Sequence, residues 1–508
     1  MLDINTHHDR TIIFNACRNG QEDVVRKFLL QKRIKNINMK NKRGESLLHL
    51  SCVNNHYFIV KLLIEHKADV SKHHYLLPIA CQQNSYDIAR LLLEHNVDVN
   101  IQAKNFRFRH MSPLHIACFK GNLKLAELLI NFKADVNLMD FDNVTPFHCA
   151  CKNNRYNIVK LLLKHSIYVN TVDLDSNTPI EDACRTGNVH LVKLIIDYQL
   201  KLDPSCVFNS CLEIACRKNK IKILKLLLNN IDMKYAQQHR FHDLIFIACE
   251  KNNLNMVKLL IKHHAIVYID LLHIACRNSN LKMLHYLLTF KPDENKSRIY
   301  TNESPLHFAC RNDNEKIVKA LLDVYPNANP KDRNGNTPLH VAVKKYNDNI
   351  VSILLAHHAD VNAKNNKSIS PLMLACEYGN SQIATLLIEN KANLKDITLH
   401  ASISNNHYKI VKLLLDNHVD VNLIGNRGTT PLIYACERGK LKFVELLLKY
   451  KADVTKKVST TTAFQAACKS WRYSIVKLLL NHSPFLIHEF HETIGSSLHA
   501  VFFYSHLF

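Results

Sequence analysis

Cysteine and histidine recur together along this chain, and their side chains are well suited to bind a metal or attack a substrate. In five places a histidine stands three residues before a cysteine; the pairs are His49/Cys52, His115/Cys118, His148/Cys151, His273/Cys276 and His307/Cys310. On a helix this spacing places both side chains on roughly one face. Such a face could bind zinc through nitrogen and sulfur, or pair a thiolate nucleophile with a histidine base.

The regular recurrence of the cysteines argues against both kinds of chemistry. Thirteen of the 16 cysteines follow an alanine or serine in the same sequence slot: Cys17, Cys52, Cys81, Cys118, Cys151, Cys184, Cys216, Cys249, Cys276, Cys310, Cys376, Cys436 and Cys468. Successive slots lie 27 to 37 residues apart. A cysteine repeated in this way behaves as a small buried hydrophobic residue. We therefore predict no catalytic residue, no metal site and no cofactor, and the common nucleotide-binding and protease motifs are also missing.

The segments around each slot predict a pair of helices. Many units open with Ser or Thr, Pro, Leu or Phe, and His, as at 112–115, 145–148 and 337–340. Ser and Thr cap helix N-termini well, and Pro suits the first helical position. Gly or Asn closes this short helix, and both residues tolerate a left-handed turn. A second helix follows, as at 158–163, and a turn rich in Asp, Asn and Gly leads to the next unit.

This unit resembles the ankyrin repeat, whose signature is a turn and two helices with Thr-Pro-Leu-His at 33-residue spacing. The resemblance covers roughly residues 11 to 482. It implies an all-α fold, an ankyrin-repeat α-solenoid with short hairpin fingers, about 15 repeats and a partial sixteenth. It also implies a concave binding surface made by the inner helices and the fingers, and a structural role for the motif histidine near the finger.

Irregular spacing predicts the internal divisions of the chain. Three fingers are curtailed, near 69–75, 264–270 and 392–398, and the last two, which have no fitting Asp- and Gly-containing turn, are the candidate boundaries. We expect a lead-in segment and three blocks of repeats, followed by a partial repeat or cap. The predicted ranges are 1–10, 11–268 (repeats 1–8), 269–395 (repeats 9–12), 396–482 (repeats 13–15) and 483–508.

The formal charge of +22 makes acidic proteins, nucleic acids and anionic surfaces candidate partners. Basic residues recur two positions after the alanine slot, where we expect them to be exposed on the inner helices. The predicted partner-binding residues at this position are Lys152, Arg185, Arg217, Arg277, Arg311 and Lys344. We interpret them as a groove for an acidic protein segment, and dispersed surface charge is the alternative. Nucleic acid is less favoured because no aromatic residues are interleaved along this line.

Two further segments are predicted to present exposed side chains that bind a partner or a second copy of the chain. The finger at 101–111 is unusually long and alternates aromatic and basic residues; we assign Phe106, Arg107, Phe108 and Arg109 to partner binding. The C-terminal segment is rich in large apolar residues. We expect weak self-association through Phe502, Phe503, Leu507 and Phe508.

The sequence therefore predicts a non-catalytic scaffold or adaptor for protein partners. A nucleic-acid-associated basic protein is one alternative, and a host-directed effector or substrate-recognition subunit is another. No apolar signal core or membrane-spanning stretch is visible in the sequence. We expect a cytoplasmic location, with the nucleus or delivery into a host cell left open.

Overall fold

The computed structural model describes residues 7–486, except 32, 33, 35, 71–74, 103–109, 207, 231–237, 294–302, 426, 427 and 460, and it describes no side chains for 7, 8 and 238–242. The chain divides into two compact units, Met1–Ile266 and Val267–Phe508. The domain ranges predicted from the irregular spacing stay a prediction.

Unit 1 contains sixteen helices among its described residues. They are α1 (His7–Asn19), α2 (Glu22–Leu30), α3 (Leu47–Val53), α4 (Tyr57–Glu65), α5 (Leu76–Gln82), α6 (Tyr86–Glu94), α7 (Pro113–Lys120), α8 (Leu123–Asn131), α9 (Pro146–Lys152), α10 (Tyr156–Leu162), α11 (Pro179–Thr186), α12 (Val189–Leu202), α13 (Asn209–Arg217), α14 (Ile221–Asn230), α15 (Gln238–Glu250) and α16 (Leu254–Lys262).

Unit 2 contains fourteen helices among its described residues, followed by a short 3₁₀ turn at Pro484–Leu486. They are α17 (Asp270–Arg277), α18 (Leu281–Leu288), α19 (Pro305–Arg311), α20 (Glu315–Val324), α21 (Pro338–Lys344), α22 (Asp348–Ala356), α23 (Pro371–Tyr378), α24 (Ser381–Glu389), α25 (His400–Ser404), α26 (Tyr408–Asp416), α27 (Pro431–Glu437), α28 (Leu441–Lys449), α29 (Ala463–Lys469) and α30 (Tyr473–His482).

The helices form fifteen consecutive pairs, which confirms the predicted all-α repeat fold. We call the first helix of each pair the inner helix and the second the outer helix. Within each unit, a helix packs against its own partner and against the equivalent helix of the next pair. In the described part of the chain the only β-type pairing is two isolated bridges, Lys40 with Ser46 and Val458 with Thr461. None of the described helices is long and apolar enough to cross a bilayer.

Local sequence explains where the helices begin and end. The Ser112 hydroxyl caps α7 by accepting a hydrogen bond from the His115 amide, and Pro113 occupies the first helical position. At its other end, α7 closes on Gly121, whose φ of 86° lies in the left-handed region that favours glycine. Asn154, at the equivalent position after α9, likewise has a positive φ of 57°, in line with the expectation that Gly or Asn closes the short helix. These capping and turn residues determine where the short helices begin and end, which burial of the core side chains alone would not determine.

Hydrogen bonds between neighbouring repeats recur at the bases of the fingers. In unit 1, the Asp135 amide donates to Asn100 Oδ1 at 2.7 Å. In unit 2, the Asp360 amide donates to Asn329 Oδ1 at 2.7 Å, and the Asn393 amide donates to Asn362 Oδ1 at 2.7 Å. Each bond joins positions 31 or 35 residues apart, so it fixes the register of one repeat against the next.

A second set of contacts joins the turn of one repeat to the next repeat. Arg155 Nη2 donates to the Phe119 carbonyl at the end of α7, at 3.2 Å. A Cβ atom on Gly121 would lie 2.7 Å from Arg155 Nε, so the glycine also makes room for this side chain. In unit 2, His407 Nε2 makes the same kind of contact with the Glu377 carbonyl, at 3.0 Å. These cations and ring N–H groups satisfy carbonyls that the helix leaves without partners.

Candidate partner-binding surface

The motif histidine is a structural residue, as the resemblance implied. His115 Nδ1 accepts a hydrogen bond from the Ser112 backbone amide at 3.1 Å. Its Nε2 donates to the Val144 carbonyl in the next finger at 2.9 Å. His148, His307 and His340 repeat both contacts in their own repeats. In these four repeats both ring nitrogens are therefore engaged, whereas Nδ1 of His49 and Nδ1 of His273 are buried without a hydrogen-bond partner among the described residues.

Burial keeps these histidines neutral. It lowers the pKa of His115 from 6.5 to about 4, although the hydrogen bond to Val144 opposes the change. The pKa values of His148, His307 and His340 are also lowered, and burial is the largest cause for each. A neutral ring suits the observed roles, since one nitrogen accepts and the other donates.

The thirteen slot cysteines are all buried free thiols, which confirms their predicted place in the core. Burial raises the pKa of the Cys52 thiol to about 12, and it acts in the same direction on Cys81 and Cys276. A thiol with a raised pKa is a poor nucleophile at neutral pH, because the thiolate is the reactive form. Within the described residues, no group of three or more His, Cys, Asp or Glu side chains is arranged to hold a metal ion.

Three of the six predicted inner-helix cations already have an acidic partner. Arg185 Nη1 lies 2.8 Å from Asp182 Oδ1, and Arg217 Nε lies 2.7 Å from Glu213 Oε1. Arg311 pairs with Glu303 of the preceding finger. Arg185 is also half-buried rather than exposed, because it covers the buried Asp182. The sequence prediction thus overstated the free positive charge at these positions.

The other three, Lys152, Arg277 and Lys344, are exposed and have no side-chain ion pair within the described structure. Lys344 lines a cleft of about 390 Å³ together with His340 and Tyr378. Arg277 occupies the equivalent inner-helix position two repeats earlier in the same unit, and Lys152 occupies it in unit 1. None of the three has to break a described ion pair to meet an external anion, although the charge of Lys152 opposes the rise that burial causes in the pKa of Asp182.

The basic residues of the outer helices form a separate, exposed set. They stand ten residues after the alanine slot: Arg26, Lys61, Arg90, Lys160, Lys193, Lys225, Lys258, Lys319, Lys412 and Lys477, and all ten are exposed. Some pair within their own helix, as Arg26 does with Glu22 and Arg90 with Glu94. Exposed pairs of this kind contribute little to stability, so the set fits a solvated surface.

The finger residues assigned to partner binding, Phe106, Arg107, Phe108 and Arg109, lie outside the described residues, and their role stays a prediction. The next two fingers of unit 1 carry large exposed apolar side chains that sequence analysis missed. Phe141 is 66% exposed and Leu174 is 65% exposed, with Met139 and Val172 beside them in sequence. The ring of Phe141 contacts that of His110, with centroids 3.7 Å apart.

Hydrogen bonds to backbone carbonyls link these finger tips along the chain. Gln102 Nε2 donates to the Met139 carbonyl at 2.7 Å, and the Leu174 amide donates to the Asp142 carbonyl at 3.0 Å. Three successive fingers of unit 1 therefore touch. The exposed apolar residues of these fingers stand within turns, so no helical periodicity marks them. Their spacing of two residues, as in Met139 and Phe141, is the only feature of the sequence that could have identified them.

The C-terminal residues assigned to self-association, Phe502, Phe503, Leu507 and Phe508, also lie outside the described residues. The last described segment ends with Phe485, which is 56% exposed, and Leu486, which is buried. Self-association stays a prediction.

Comparison with protein-family models decides the family. The model described as "Ankyrin repeats (3 copies)" matches residues 2–74, 77–173, 212–298, 272–365, 347–424 and 399–488. The chain belongs to the ankyrin-repeat family. Proteins built from ankyrin repeats generally act as protein-protein interaction modules, and this ankyrin-repeat protein has the buried histidines and exposed inner-helix residues described above.

Two curated relatives match short parts of this ankyrin-repeat protein. Both come from Oryza sativa subsp. japonica and are named "Probable E3 ubiquitin-protein ligase", XBOS33 and XBOS32. XBOS33 is 36% identical over 84 residues, 16% of each chain, and XBOS32 is 39% identical over 56 residues, 11% of each chain. The chain therefore spans about a sixth or less of the length of these relatives.

A solved structure also matches this ankyrin-repeat protein. It is "Crystal structure of the ankyrin repeat domain of Bcl-3: a unique member of the IkappaB protein family". The sequences are 26% identical, and the match covers 41% of this chain and 96% of that chain with a TM-score of 0.38.

Proposed function

We propose that this chain is a non-catalytic scaffold or adaptor that binds acidic segments of partner proteins on its inner-helix surface. The observation that carries the proposal is the contrast among the inner-helix cations. Arg185, Arg217 and Arg311 are neutralised within the chain, whereas Lys152, Arg277 and Lys344 are exposed without an ion pair in the described structure. Unpaired charges on a binding face steer an oppositely charged partner and select against the wrong one.

In unit 2, the charge of Lys344 lies in a cleft rather than on a flat surface. The finger residues Asn365 and Asn366 line it on one side, and the exposed Arg277 stands at the equivalent position two repeats earlier. We infer that a carboxylate-rich peptide lies over this inner-helix surface and pairs with both cations.

In unit 1, the apolar finger tips provide a different kind of contact. Phe141 and Leu174 leave large apolar surfaces in water, and exposed apolar patches on folded proteins commonly mark interaction sites. Lys152 belongs to the repeat that Phe141 introduces. We infer that unit 1 binds a segment in which apolar residues accompany the acidic ones.

A peptide-display experiment tests the proposal while the partner is still unidentified. The full chain is used to select from a library of segments drawn from disordered protein regions. The same selection is run on an Arg277→Glu/Lys344→Glu variant. The matched control is Lys319→Glu/Lys412→Glu, which changes the net charge equally on exposed outer helices of the same unit. We expect acidic segments to be enriched by the wild type and by the control, and lost from the inner-helix variant.

Enrichment without acidic bias would contradict the proposal, as would equal loss from both variants. The nucleic-acid alternative is tested in parallel with a random DNA duplex. Micromolar binding at physiological salt, with a steep fall in affinity as salt increases, would favour that alternative.

A second candidate function is a substrate-recognition component linked to ubiquitin transfer. It is favoured by the names of the relatives XBOS33 and XBOS32, of which the matching segments are a small part. Co-purification of ubiquitin-transfer proteins with the tagged full chain would support it, and their absence alongside other specific partners would contradict it.

A cytoplasmic location is part of the main proposal, because none of the sixteen cysteines forms a disulfide, as a reducing compartment favours.

A further inference from the structure

The first repeat carries a strongly basic cleft that the proposed binding surfaces do not include. It has a volume of about 540 Å³ and lies between α1 and the turn that precedes α3. Its charged lining residues are Arg10, Arg18, Lys40, Lys42 and Arg43, all of them exposed or half-buried. No carboxylate lines it among the residues that the structure describes.

Internal pairing neutralises little of this charge. Arg18 Nη2 lies 3.5 Å from Glu45 Oε2, but that carboxylate oxygen also accepts a shorter hydrogen bond from Asn41 Nδ2, at 2.7 Å. The other four cations have no ion pair in the part of the chain that the structure describes. Five like charges around one cleft repel each other, and a bound anion would relieve that repulsion. The paired Arg185 and Arg217 show that this chain elsewhere supplies an acid beside its inner-helix arginines.

We propose that this cleft binds the phosphate group of a phosphoserine or phosphothreonine in a partner peptide. A phosphate monoester carries a charge of about −1.5 to −2 at neutral pH and three acceptor oxygens, more than a carboxylate can offer. Arg10, Arg18 and Arg43 present planar guanidinium groups, which bind phosphate with two parallel N–H donors. The lysines of the turn add charge without a fixed geometry.

The remaining lining favours a peptide over a nucleic acid. Among the described lining residues Phe14 is the one aromatic, and it is only 8% exposed, so it offers no ring face on which a base could stack. Asn15 is exposed beside it and provides an amide that can pair with a peptide backbone. The volume lies within the range of sites that hold small ligands, which corresponds to a phosphorylated residue and its immediate neighbours.

The test uses the full chain and a defined probe. Immobilised protein is challenged with a degenerate nonapeptide library with a central phosphothreonine, and with the same library carrying unmodified threonine. We expect the wild type to retain the phosphorylated library about tenfold more strongly, and Arg10→Glu/Arg43→Glu to abolish that difference. The control, Lys27→Glu/Lys61→Glu, makes the same charge change on the exposed faces of α2 and α4 and should stay within about twofold of the wild type.

Several outcomes would overturn the proposal: equal retention of the two libraries, equal loss in the control, or preferential binding of short single-stranded RNA through Arg10 and Arg43. If the double arginine variant fails to fold, as judged by circular dichroism, Lys40→Gln/Lys42→Gln removes charge from the turn instead and should weaken retention in the same direction. Both variants leave the inner-helix cations Arg277 and Lys344 intact, so the difference between them does not depend on the inner-helix proposal.

Discussion

Acidification should weaken the repeat that contains His115, and the structure gives the size of the effect. The pKa of His115 is about 4 in the folded chain and 6.5 in the unfolded reference, because burial disfavours the charged ring. Between these values the unfolded segment binds a proton that the folded one does not. Stability is therefore unaffected above pH 6.5 and falls as the pH drops toward 4. From about pH 7.5 to about pH 5 the loss from His115 alone is about 2 kcal/mol.

The matched variant is His115→Gln, which removes the titrating ring. The chain itself shows that glutamine can serve at this position, since Gln465 Oε1 accepts the Thr462 amide at 3.2 Å in α29. Long repeat arrays do not always unfold as one unit, so local stability is the better quantity to measure. Native-state hydrogen exchange of the peptide spanning α7, with wild type and variant compared at each pH, cancels the intrinsic effect of pH on exchange.

We expect wild-type protection in α7 to fall by about 2 kcal/mol more than variant protection between about pH 7.5 and about pH 5. A parallel variant, His190→Gln, removes an exposed ring and should follow the wild type. An equal pH dependence in wild type and His115→Gln would refute the argument that the buried neutral ring controls this response.

Three further predictions concern individual contacts. Arg185→Ala should destabilise unit 1 by about 2 kcal/mol, because it removes the ion-pair partner of the buried Asp182. Arg217→Ala should cost less than about 0.5 kcal/mol, because its pair with Glu213 is exposed. Urea unfolding of the two variants measures this difference. Gly121→Ala should destabilise more than Gly44→Ala when melting temperatures are compared, since both glycines have positive φ but only Gly121 has a side chain, Arg155, against it; equal losses would contradict the steric argument. Phe141→Ser/Leu174→Ser should leave the melting temperature unchanged and weaken capture, by the full chain, of those selected peptides that combine apolar with acidic residues. A large loss of stability would show that these side chains belong to the core.

The sequence predicted the features that one repeat determines locally. The spacing of Ala-Cys and Thr-Pro-Leu-His was enough to predict fifteen helix pairs, the burial of the slot cysteines and the structural role of the histidine. These properties depend on caps, turns and apolar periodicity, which act over a few residues. The left-handed turns at Gly121 and Asn154 followed from the same local rules.

Contacts between side chains were harder to predict. The pairs of Arg185 with Asp182 and Arg217 with Glu213 have helical spacings of three and four residues, so attention to the preceding acids would have found them. The pair of Arg311 with Glu303 joins a helix to a finger eight residues earlier, and no helical spacing rule covers it. The asparagine contacts at the finger bases depend on the register between repeats, which one repeat does not encode by itself.

The dissociation constant of one selected acidic peptide, measured for the wild type and for two unit 2 variants, tests most directly whether the inner-helix cations bind the partner. Reversing the charge at Arg277 and Lys344, in Arg277→Glu/Lys344→Glu, should reduce the binding free energy by about 1 kcal/mol for each lost charge pair. This corresponds to binding roughly 30-fold weaker than that of the wild type. Reversing Lys319 and Lys412 on the outer helices should leave binding within about twofold. If both variants weaken binding equally, net charge rather than the inner-helix surface attracts the peptide, and the account is contradicted.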